Sequence, residues 1–243
     1  MTGPRAVAIN VGANTNAPGF RGPVRPDGRF AFVPIPESEP TGKPVPTYGD
    51  IAPHLDASIP SAVHDRPVHL DPEFPEYPCG TAYTYGDPHG VKARPLAALS
   101  AGDRVYFYAT LAVTDPADGL PPAWGAFVIG HFELAVDPVS PDGRDALSPD
   151  ERAWFATNAH LKRETMDARV LLAGDPDGSA LYDRAVPLSR PSGGTDAGSL
   201  VTDHSSDSGR GPWWRRPLRF DKAGAAAVAR AVSRVRNGDD YQP

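Results

Sequence analysis

The stretch AGDRVYFYATLAV, Ala101 to Val113, carries the clearest secondary-structure signal in the chain. A Gly-Asp turn opens it, and the β-branched and aromatic residues that follow favour a half-buried strand. A second apolar run, WGAFVIGHFELAV from Trp124 to Val136, comes after a Pro-rich connection, and Gly130 within it permits a bulge or a close backbone approach. We therefore predict two central strands that pair antiparallel.

Three shorter apolar runs predict further strands, at Ala6–Ile9, Phe30–Ile35 and Arg169–Ala173. The first two enclose a loop rich in Asn, Arg, Gly and Pro, and such loops often carry function because rigid elements position them. Residues 38–95 hold many Pro, Asp and His with little periodicity, which predicts ordered loops. Residues 191–212 are rich in Ser, Gly, Asp and Thr, which predicts a flexible surface loop.

Two helices have explicit start signals. The run Ser148-Pro149-Asp150-Glu151 forms a capping box with Pro at the first helical position, which predicts a helix from Pro149 to Asn158. Asp221 can cap a second helix, Lys222 to Val235, and Asn237-Gly238 would end it. The apolar face of this second helix comprises Ala227, Val228, Ala231, Val232 and Val235.

Composition is typical of a globular protein built from many short elements. Of 243 residues, 29 are Pro and 24 are Gly, while 40% are hydrophobic and 22% are charged. This balance favours constrained turns over a helical bundle, and it predicts a single α+β domain over residues 1–243 that is mostly β. The net charge is -6, so any contact with nucleic acid must use a local basic surface.

Cysteine usage and hydropathy restrict the kinds of site and the cellular compartment to be expected. The single cysteine, Cys79, excludes an internal disulfide framework and a Cys-based zinc cluster within one chain. No apolar stretch approaches the length of a membrane span, and the N-terminus lacks the pattern of a signal peptide. We expect a cytoplasmic protein without a membrane partner.

Several segments of the chain occur in the same order as in one protein family. In chain order these segments are NVGAN, DGRFAFVPIPE, VHLDPEF, TYGD, LSAGDRVYFYATL, GAFVIGHFEL, NAHLKR, DGSALYDRAVPLS and PWWRRPLRF. Together they resemble the nucleotide modification associated domain 3 family over roughly Ala6 to Phe220. The resemblance implies a role beside systems that modify DNA bases. Its expected partners are DNA or a nucleotide, with a modified or unmodified base, and other subunits of a DNA-modification system.

A second resemblance concerns the central third of the chain. LSAGDRVYFYATL and GAFVIGHFEL are similar to segments of PUA-like barrels of the ASCH and EVE type, which include readers of RNA and of modified bases. The similarity implies a PUA-like barrel over residues 101–173, with a few peripheral helices and long ordered loops. Residues 1–37 would form a strand-loop-strand unit, and residues 221–237 would contain the C-terminal helix.

The loop after the first strand supplies candidate ligand-binding residues. Asn10 and Asn14 flank a Gly, and their amides offer the donor and acceptor needed to read a base edge. Asx turns would use the same side chains. Arg21, between Gly19 and Gly22, can reach a phosphate, and a surface salt bridge is the alternative.

The tetrapeptide TYGD occurs twice, at Thr47–Asp50 and at Thr84–Asp87. In the second copy, Tyr85 with Gly86 can present an aromatic face to a base. The alternative is a turn with a packed ring. We therefore include both residues among the candidate ligand-binding residues.

The C-terminal segment PWWRRPLRF combines aromatic and basic residues, as a platform for single strands or flipped bases would. Trp213 and Arg215 are the candidate ligand contacts. One of the two Trp residues, Trp213 or Trp214, is expected in the core, since large aromatic side chains bury well. Arg215, Arg216 and Arg219 are expected to be exposed.

The segment NAHLKR, Asn158 to Arg163, offers the best catalytic candidates. Here His160 can act as a general acid or base, with Glu37 or Asp87 as its carboxylate partner. Arg163 can hold a phosphate beside it. Alternatively, His160 and Arg163 cap the C-terminus of the preceding helix, which requires no substrate.

No metal site is expected, and the sequence leaves the cofactor unknown. His69-Leu70-Asp71 matches part of a 2-His-1-carboxylate site, with His131 or His160 as the distal ligand. However, Asp71 precedes Pro72 and the spacing is common by chance, so a turn is the preferred interpretation. The chain has no G-x-G-x-x-G, P-loop, G-x-S-x-G or zinc spacing, so no cofactor is identified.

Three functions fit these observations. The first is a protein that binds a nucleotide or a modified base in a DNA base-modification pathway. The second is an enzyme, a transferase or hydrolase, that acts on a modified nucleotide or base. The third is a non-catalytic scaffolding subunit, which would show a flat apolar patch instead of a concave pocket.

Overall fold

The computed structural model describes residues 5–237. Contacts divide this part of the chain into two compact units. Unit 1 comprises residues up to 33, residues 104–131 and residues from 182 onward, while unit 2 comprises residues 34–103 and 132–181. The expectation of a single domain stays a prediction.

The described chain has more strand than helix. The strands are β1 (Ala6–Asn10), β2 (Pro23–Val24), β3 (Ile35–Pro36), β4 (Val68–His69), β5 (Thr84–Asp87), β6 (Arg104–Val113), β7 (Trp124–Glu133), β8 (Val170–Ala173), β9 (Ala180–Pro187), β10 (Ser189–Arg190), β11 (Gly193–Ala197) and β12 (Leu218–Phe220). The helices are α1 (Tyr48–Ile51), α2 (Gly90–Leu96), α3 (Pro149–Ala153), α4 (Ser199–Thr202) and α5 (Lys222–Asn237). This content fits the predicted sheet-rich α+β class.

The main element of unit 1 is a six-stranded sheet with the order β12-β1-β6-β7-β9, in which β2 also pairs with β6. Strand β1 runs parallel to β6, with Ala8 opposite Tyr106, and antiparallel to β12. Strands β6 and β7 are neighbours, and Val113 N donates to Ala123 O at their connection, which confirms the predicted antiparallel pair. A barrel requires pairing between the edge strands. Within residues 5–237 the order ends at β12 and β9, so a PUA-like barrel is not confirmed.

Strand β6 is more buried than its sequence predicts. All residues from Val105 to Leu111 are buried, whereas a half-buried strand would alternate between buried and exposed positions. Neighbouring strands lie on both sides of β6, and its apolar run is continuous. Such runs are typical of strands that are covered on both faces.

Helix α5 contacts β1 and β12 of the sheet. Asp221 Oδ1 accepts from Gly224 N at 2.8 Å, so Asp221 caps the first turn as its side-chain type predicts. The predicted apolar face is buried, at Ala227, Val228, Ala231, Val232 and Val235. Gly238, predicted to help end the helix, lies outside the described residues. Among residues 5–237, no helix is both long and apolar enough to cross a bilayer.

Backbone groups of the edge strand β12 form hydrogen bonds with a residue outside the sheet. Ser206 N donates to Arg219 O at 2.8 Å. Arg219 N donates in turn to Ser206 Oγ at 3.4 Å. The Arg219 residue is exposed between two buried neighbours.

The segment 191–212, expected to be a flexible loop, contains strand β11 and helix α4. Strand β11 pairs with β10, and Ser189 Oγ donates to Gly194 O at 2.8 Å. A Cβ on Gly194 would lie only 2.3 Å from Trp124 O, so glycine allows this hairpin to lie against β7. The glycines that suggested flexibility therefore permit close packing.

Unit 2 contains two antiparallel strand pairs. In the pair β3-β4, Ile35 lies opposite His69, and in the pair β5-β8, Gly86 lies opposite Leu171. A buried apolar cluster next to β8 comprises Val139, Phe155, Ala168, Leu171 and Ala173. The ends of these short strands bring polar side chains of unit 2 close to one another.

Helix α3 begins as predicted. Ser148 Oγ accepts from Glu151 N while the Glu151 carboxylate accepts from Ser148 N, so the capping box is confirmed. The helix ends at Ala153 instead of Asn158. It ends early because the chain then turns inward, which buries Phe155 completely.

Candidate functional site

The loop after β1 and the turn before β12 line a cavity of about 170 Å³ in unit 1. We call it the amide-arginine cavity, and its lining residues are Asn10, Asn14, Thr15, Asn16, Arg21, Thr110, Trp214 and Arg215. Four of the predicted ligand-binding residues, Asn10, Asn14, Arg21 and Arg215, therefore lie together. The lining has two guanidinium groups and no carboxylate, so the cavity favours an anion.

Arg21 is held in the cavity wall by a hydroxyl group and an aromatic face. Its Nε donates to Thr110 Oγ1 at 3.4 Å. Its guanidinium carbon lies 4.6 Å from the centroid of the Trp124 ring, a cation-π contact. The Trp124 ring meets Trp214 edge to face, with centroids 5.3 Å apart. These contacts limit the positions that the charge of Arg21 can take.

Asn14 forms the Asx turn that the sequence allowed. Its Oδ1 accepts from Asn16 N at 2.8 Å. Asn10 Nδ2 donates to Tyr108 O at 3.5 Å, a long contact and therefore a weak one. The Asx turn therefore fixes the loop beside the cavity.

The two adjacent tryptophans have different environments. Trp213 is fully buried, and its Nε1 donates to Thr195 O at 2.7 Å. Trp214 lines the amide-arginine cavity instead. One Trp in the core is what the sequence predicted, but the candidate contact Trp213 is the buried one. The exposure expected of Arg215, Arg216 and Arg219 is confirmed.

A second group of functional side chains surrounds the Asp71 carboxylate in unit 2. His69, at the end of β4, places Nε2 3.8 Å from Asp71 Oδ2. His160, in a 3-10 turn that follows α3, places Nε2 3.5 Å from the same oxygen. The two imidazole rings meet edge to face with centroids 4.8 Å apart, and all three residues are buried. Two imidazoles thus converge on one carboxylate oxygen.

A further carboxylate fixes the opposite nitrogen of each imidazole. His69 Nδ1 lies 2.7 Å from Glu37 Oε2, and His160 Nδ1 lies 2.6 Å from Asp167 Oδ1. An ionised carboxylate can only accept, so each Nδ1 carries the hydrogen that it donates. These bonds set the orientation of both rings and direct both Nε2 atoms toward Asp71.

Arg163 links the two outer carboxylates. Its Nη2 donates to Glu37 Oε1 at 2.7 Å, and its Nη1 donates to Asp167 Oδ2 at 2.6 Å. Only 8% of its side chain is exposed, and its two Nη atoms pair with carboxylates. We call the group Glu37, His69, Asp71, His160, Arg163 and Asp167 the histidine-carboxylate cluster.

Burial and charge have opposite effects on pKa values in the cluster. Burial raises the pKa of Glu37, but hydrogen bonds from His69 and Arg163 outweigh it and hold the pKa well below its usual range. Burial lowers the pKa of His160, but attraction to Asp71 and Asp167 outweighs it and raises the pKa to about 9. Near neutral pH Glu37 is therefore ionised, and His160 carries a proton while no other cation neutralises Asp71.

Neutral donors orient the Asp71 carboxylate. Gly86 N lies 3.1 Å from both of its oxygens, and Asn158 Nδ2 donates to Oδ1 at 3.2 Å. A Cβ on Gly86 would lie 2.6 Å from His160 Cδ2. Gly86 thus positions Asp71 and His160, and its lack of a side chain makes room for the imidazole.

Tyr85 and Asp87 belong to the packed interior of unit 2. Tyr85 is 3% exposed, and its hydroxyl donates to Asp87 Oδ2 at 2.7 Å. Asp87 Oδ1 accepts from His89 N at 2.7 Å. Tyr85 is therefore the packed ring of the alternative interpretation, and the carboxylates beside His160 are Asp71 and Asp167 instead of Asp87.

One family model matches nearly the whole chain. The model is described as nucleotide modification associated domain 3, and it matches residues 5–236. The chain belongs to this family. The description suggests involvement in nucleotide modification but gives no reaction. No curated protein and no solved structure matched the chain.

In this member of the nucleotide modification associated domain 3 family, the sequence pointed to only part of the histidine-carboxylate cluster. Asp167 was missed because residues 163–167 are not helical, so the i,i+4 rule for helix surfaces gave no reason to expect its pair with Arg163. The pair His69-x-Asp71 was interpreted as a turn. Of the two distal histidines considered with it, His160 joins the cluster, whereas His131 stacks on Tyr106 in unit 1.

Proposed function

We propose that this member of the nucleotide modification associated domain 3 family binds a nucleotide, or a base turned out of DNA, through the amide-arginine cavity. The observation that carries the proposal is the cavity lining, which combines two arginines, three asparagines and an indole without an acidic side chain. Guanidinium groups suit phosphate oxygens, and amides suit the polar edge of a base. The family description supports a nucleotide as the ligand class.

The size of the cavity favours a small part of a nucleic acid as its occupant. Its volume of about 170 Å³ is below the roughly 300–1,000 Å³ of sites that enclose drug-sized ligands. A single base or a phosphate group fits this scale better than a dinucleotide. Trp214 in the lining adds an aromatic surface, which binds bases irrespective of their sequence.

Equilibrium binding to the full chain tests the proposal. The ligands are deoxynucleoside monophosphates and short single-stranded DNA, each with ordinary and modified bases. Arg21→Ala and Arg215→Ala should each weaken binding about tenfold or more, because a charge-assisted hydrogen bond contributes roughly 1.5–3 kcal/mol. Arg219→Ala is the matched control, since Arg219 is exposed in the same C-terminal segment as Arg215 but does not line the cavity.

A separate variant distinguishes ligand contact from loop structure. Asn14→Asp keeps the Oδ1 acceptor of the Asx turn but removes the amide donor and adds a negative charge. We expect a folded protein with weakened nucleotide binding. Wild-type affinity in Asn14→Asp and in both arginine variants, or an equal loss in Arg219→Ala, would rule out the cavity as the binding site.

A catalytic role is a second candidate function, and the histidine-carboxylate cluster favours it. Buried imidazoles that are paired with carboxylates are a common acid-base arrangement, and the pKa of His160 is raised to about 9. The proposed activity is that of a transferase or hydrolase on a modified nucleotide. Incubation with modified nucleotides, followed by mass spectrometry, should show a product that His160→Asn no longer forms.

A further inference from the structure

We propose that His69, Asp71 and His160 bind one divalent first-row transition-metal ion. The three residues are buried, and their donor atoms lie within 4.8 Å of one another. The proposal rests on the histidine-carboxylate cluster alone. It does not depend on a ligand in the amide-arginine cavity.

The spacing of the three donors fits a single ion. Imidazole nitrogen and carboxylate oxygen bind such ions at about 2.0–2.2 Å, which places neighbouring donors roughly 3–3.5 Å apart. The Nε2 atoms of His160 and His69 lie 3.5 and 3.8 Å from Asp71 Oδ2. The donor atoms are spread over as much as 4.8 Å, so the two imidazole nitrogens would approach each other by about 1 Å to bind one ion.

Nε2 of His160 has an unmet bonding requirement. The side chain is 1% exposed, and Nε2 makes no hydrogen bond with any residue that the structure describes. Buried polar atoms are nearly always satisfied in native proteins. Because Nδ1 donates its hydrogen to Asp167, a neutral His160 directs the Nε2 lone pair at Asp71 Oδ2. A cation between these two atoms removes the conflict: a proton on Nε2 in the metal-free protein, and a metal ion in its place when one is bound.

The outer partners are those of metal-bound histidines. Such histidines almost always donate their second ring hydrogen to a carboxylate, a carbonyl group or water, which fixes the tautomer and the ring orientation. Here His69 donates to Glu37 and His160 donates to Asp167. The same pattern on both imidazoles of one cluster is what a metal site requires.

The net charge of the cluster suits a divalent ion. Glu37, Asp71 and Asp167 supply three carboxylates, while Arg163 supplies one positive charge and pairs with two of them. With neutral imidazoles, two negative charges are left over. One divalent ion would balance them.

The donor set also selects the class of ion. Two imidazoles and one carboxylate suit Fe(II), Mn(II), Co(II), Ni(II) or Zn(II), whereas Ca²⁺ and Mg²⁺ prefer sites made of oxygen ligands. Three protein ligands leave coordination positions open. Open positions are typical of catalytic metal sites and not of structural ones.

Metal titration of the full chain tests the proposal. Protein stripped with a chelator is titrated with Co(II) and with Zn(II), and binding is followed by calorimetry and by the visible absorption of Co(II). We expect one ion per chain, and X-ray absorption should show two imidazoles in the first coordination shell. Asp71→Asn and His69→Ala should each weaken Co(II) binding at least tenfold. His54→Ala, an exposed histidine of unit 2, is the matched control and should bind as wild type.

Glu37→Gln separates a metal site from a purely structural ion-pair network. We expect Co(II) affinity to fall about 10–100-fold with the two-imidazole shell retained, as for other outer-partner substitutions. Absence of Co(II) and Zn(II) uptake by the wild type, a first shell without two imidazoles, or wild-type affinity in Asp71→Asn would each overturn the proposal. The wild-type measurements need no variant, so misfolding of a variant does not affect them.

Discussion

At the scale of single residues, Gly86 stands where a methyl group would collide with an imidazole. A Cβ there would lie 2.6 Å from His160 Cδ2 and 3.1 Å from Asn158 Oδ1. We expect Gly86→Ala to lower the free energy of unfolding by about 1–3 kcal/mol, since overpacking forces neighbours to shift. It should also weaken Co(II) binding because His160 moves. Urea unfolding and cobalt titration measure the two effects.

Gly42→Ala is the matched control for Gly86→Ala. Both glycines belong to unit 2, but a Cβ on Gly42 would meet only Glu164 atoms at 3.8 Å, which is an ordinary contact distance. Stability and cobalt affinity should therefore stay close to the wild-type values. Equal effects of both substitutions would mean that Gly86 has no special relation to His160.

His160 should make the stability of metal-free protein depend on pH. Asp71 and Asp167 face the imidazole, with Arg163 and His69 beside them. Burial lowers the pKa of His160, but the two carboxylates outweigh it and raise the pKa to about 9 from 6.5. The folded state thus binds the proton more tightly than the unfolded state does. This stabilisation is complete below pH 6.5 and is lost as pH rises to 9.

The expected loss of unfolding free energy over that pH window is about 3 kcal/mol. Urea unfolding between pH 6 and pH 9.5, with a chelator present, measures it. The reference is His160→Gln, which removes the titrating group, so the difference between the two pH profiles belongs to His160. Parallel profiles for the two proteins would contradict the raised pKa of His160.

At the scale of elements, the turn after α3 decides where His160 lies. Phe155 is fully buried in the apolar cluster of unit 2, while the adjacent Trp154 is 41% exposed. We expect Phe155→Ala to lower the free energy of unfolding by about 3–5 kcal/mol, because it leaves a cavity. Trp154→Ala should change it by less than about 0.5 kcal/mol. Chemical unfolding of the two variants checks this, and similar losses would contradict the observed burial.

Elements with local signals were predictable from the sequence. The capping box at Ser148 and the apolar face of α5 depend on neighbours within a few residues, and the structure contains both. The end of α3 and the order within 191–212 depend on distant partners, such as the contact between Gly194 and Trp124. Composition and periodicity carry no information about such contacts, so the predicted end of α3 was wrong and the strand and helix within 191–212 were not foreseen.

At the scale of the whole molecule, net charge limits how nucleic acid can bind. The chain carries a charge of -6, whereas the amide-arginine cavity presents two arginines. We expect affinity for single-stranded DNA to fall with rising salt, with a log-log slope of about -1.4 for two phosphate contacts. Arg21→Ala should reduce the slope to about -0.7. Titrations at several salt concentrations measure both slopes, and no salt dependence would contradict phosphate contact.

The sequence predicted many of the residues in the candidate sites, but it did not predict which of them lie together. Asn14 and Arg21 lie close in sequence, so a shared loop was foreseeable, and both line one cavity. His160 is far in sequence from His69 and Asp71, and only the fold of unit 2 brings it to that pair. The pattern His-x-Asp often occurs by chance. Whether it marks a metal site depends on a third ligand, and the sequence spacing does not show which residue that is.

The engagement of Arg219 by Ser206 has a consequence for self-association. An uncovered sheet edge offers free backbone groups to a strand from another molecule, which is a common route to aggregation. At β12 the N–H and C=O of Arg219 already bond to Ser206, and the strand is only three residues long. An incoming strand would have to displace Ser206 and desolvate an arginine in exchange for few hydrogen bonds. This side of the sheet is therefore a poor template for fibril growth.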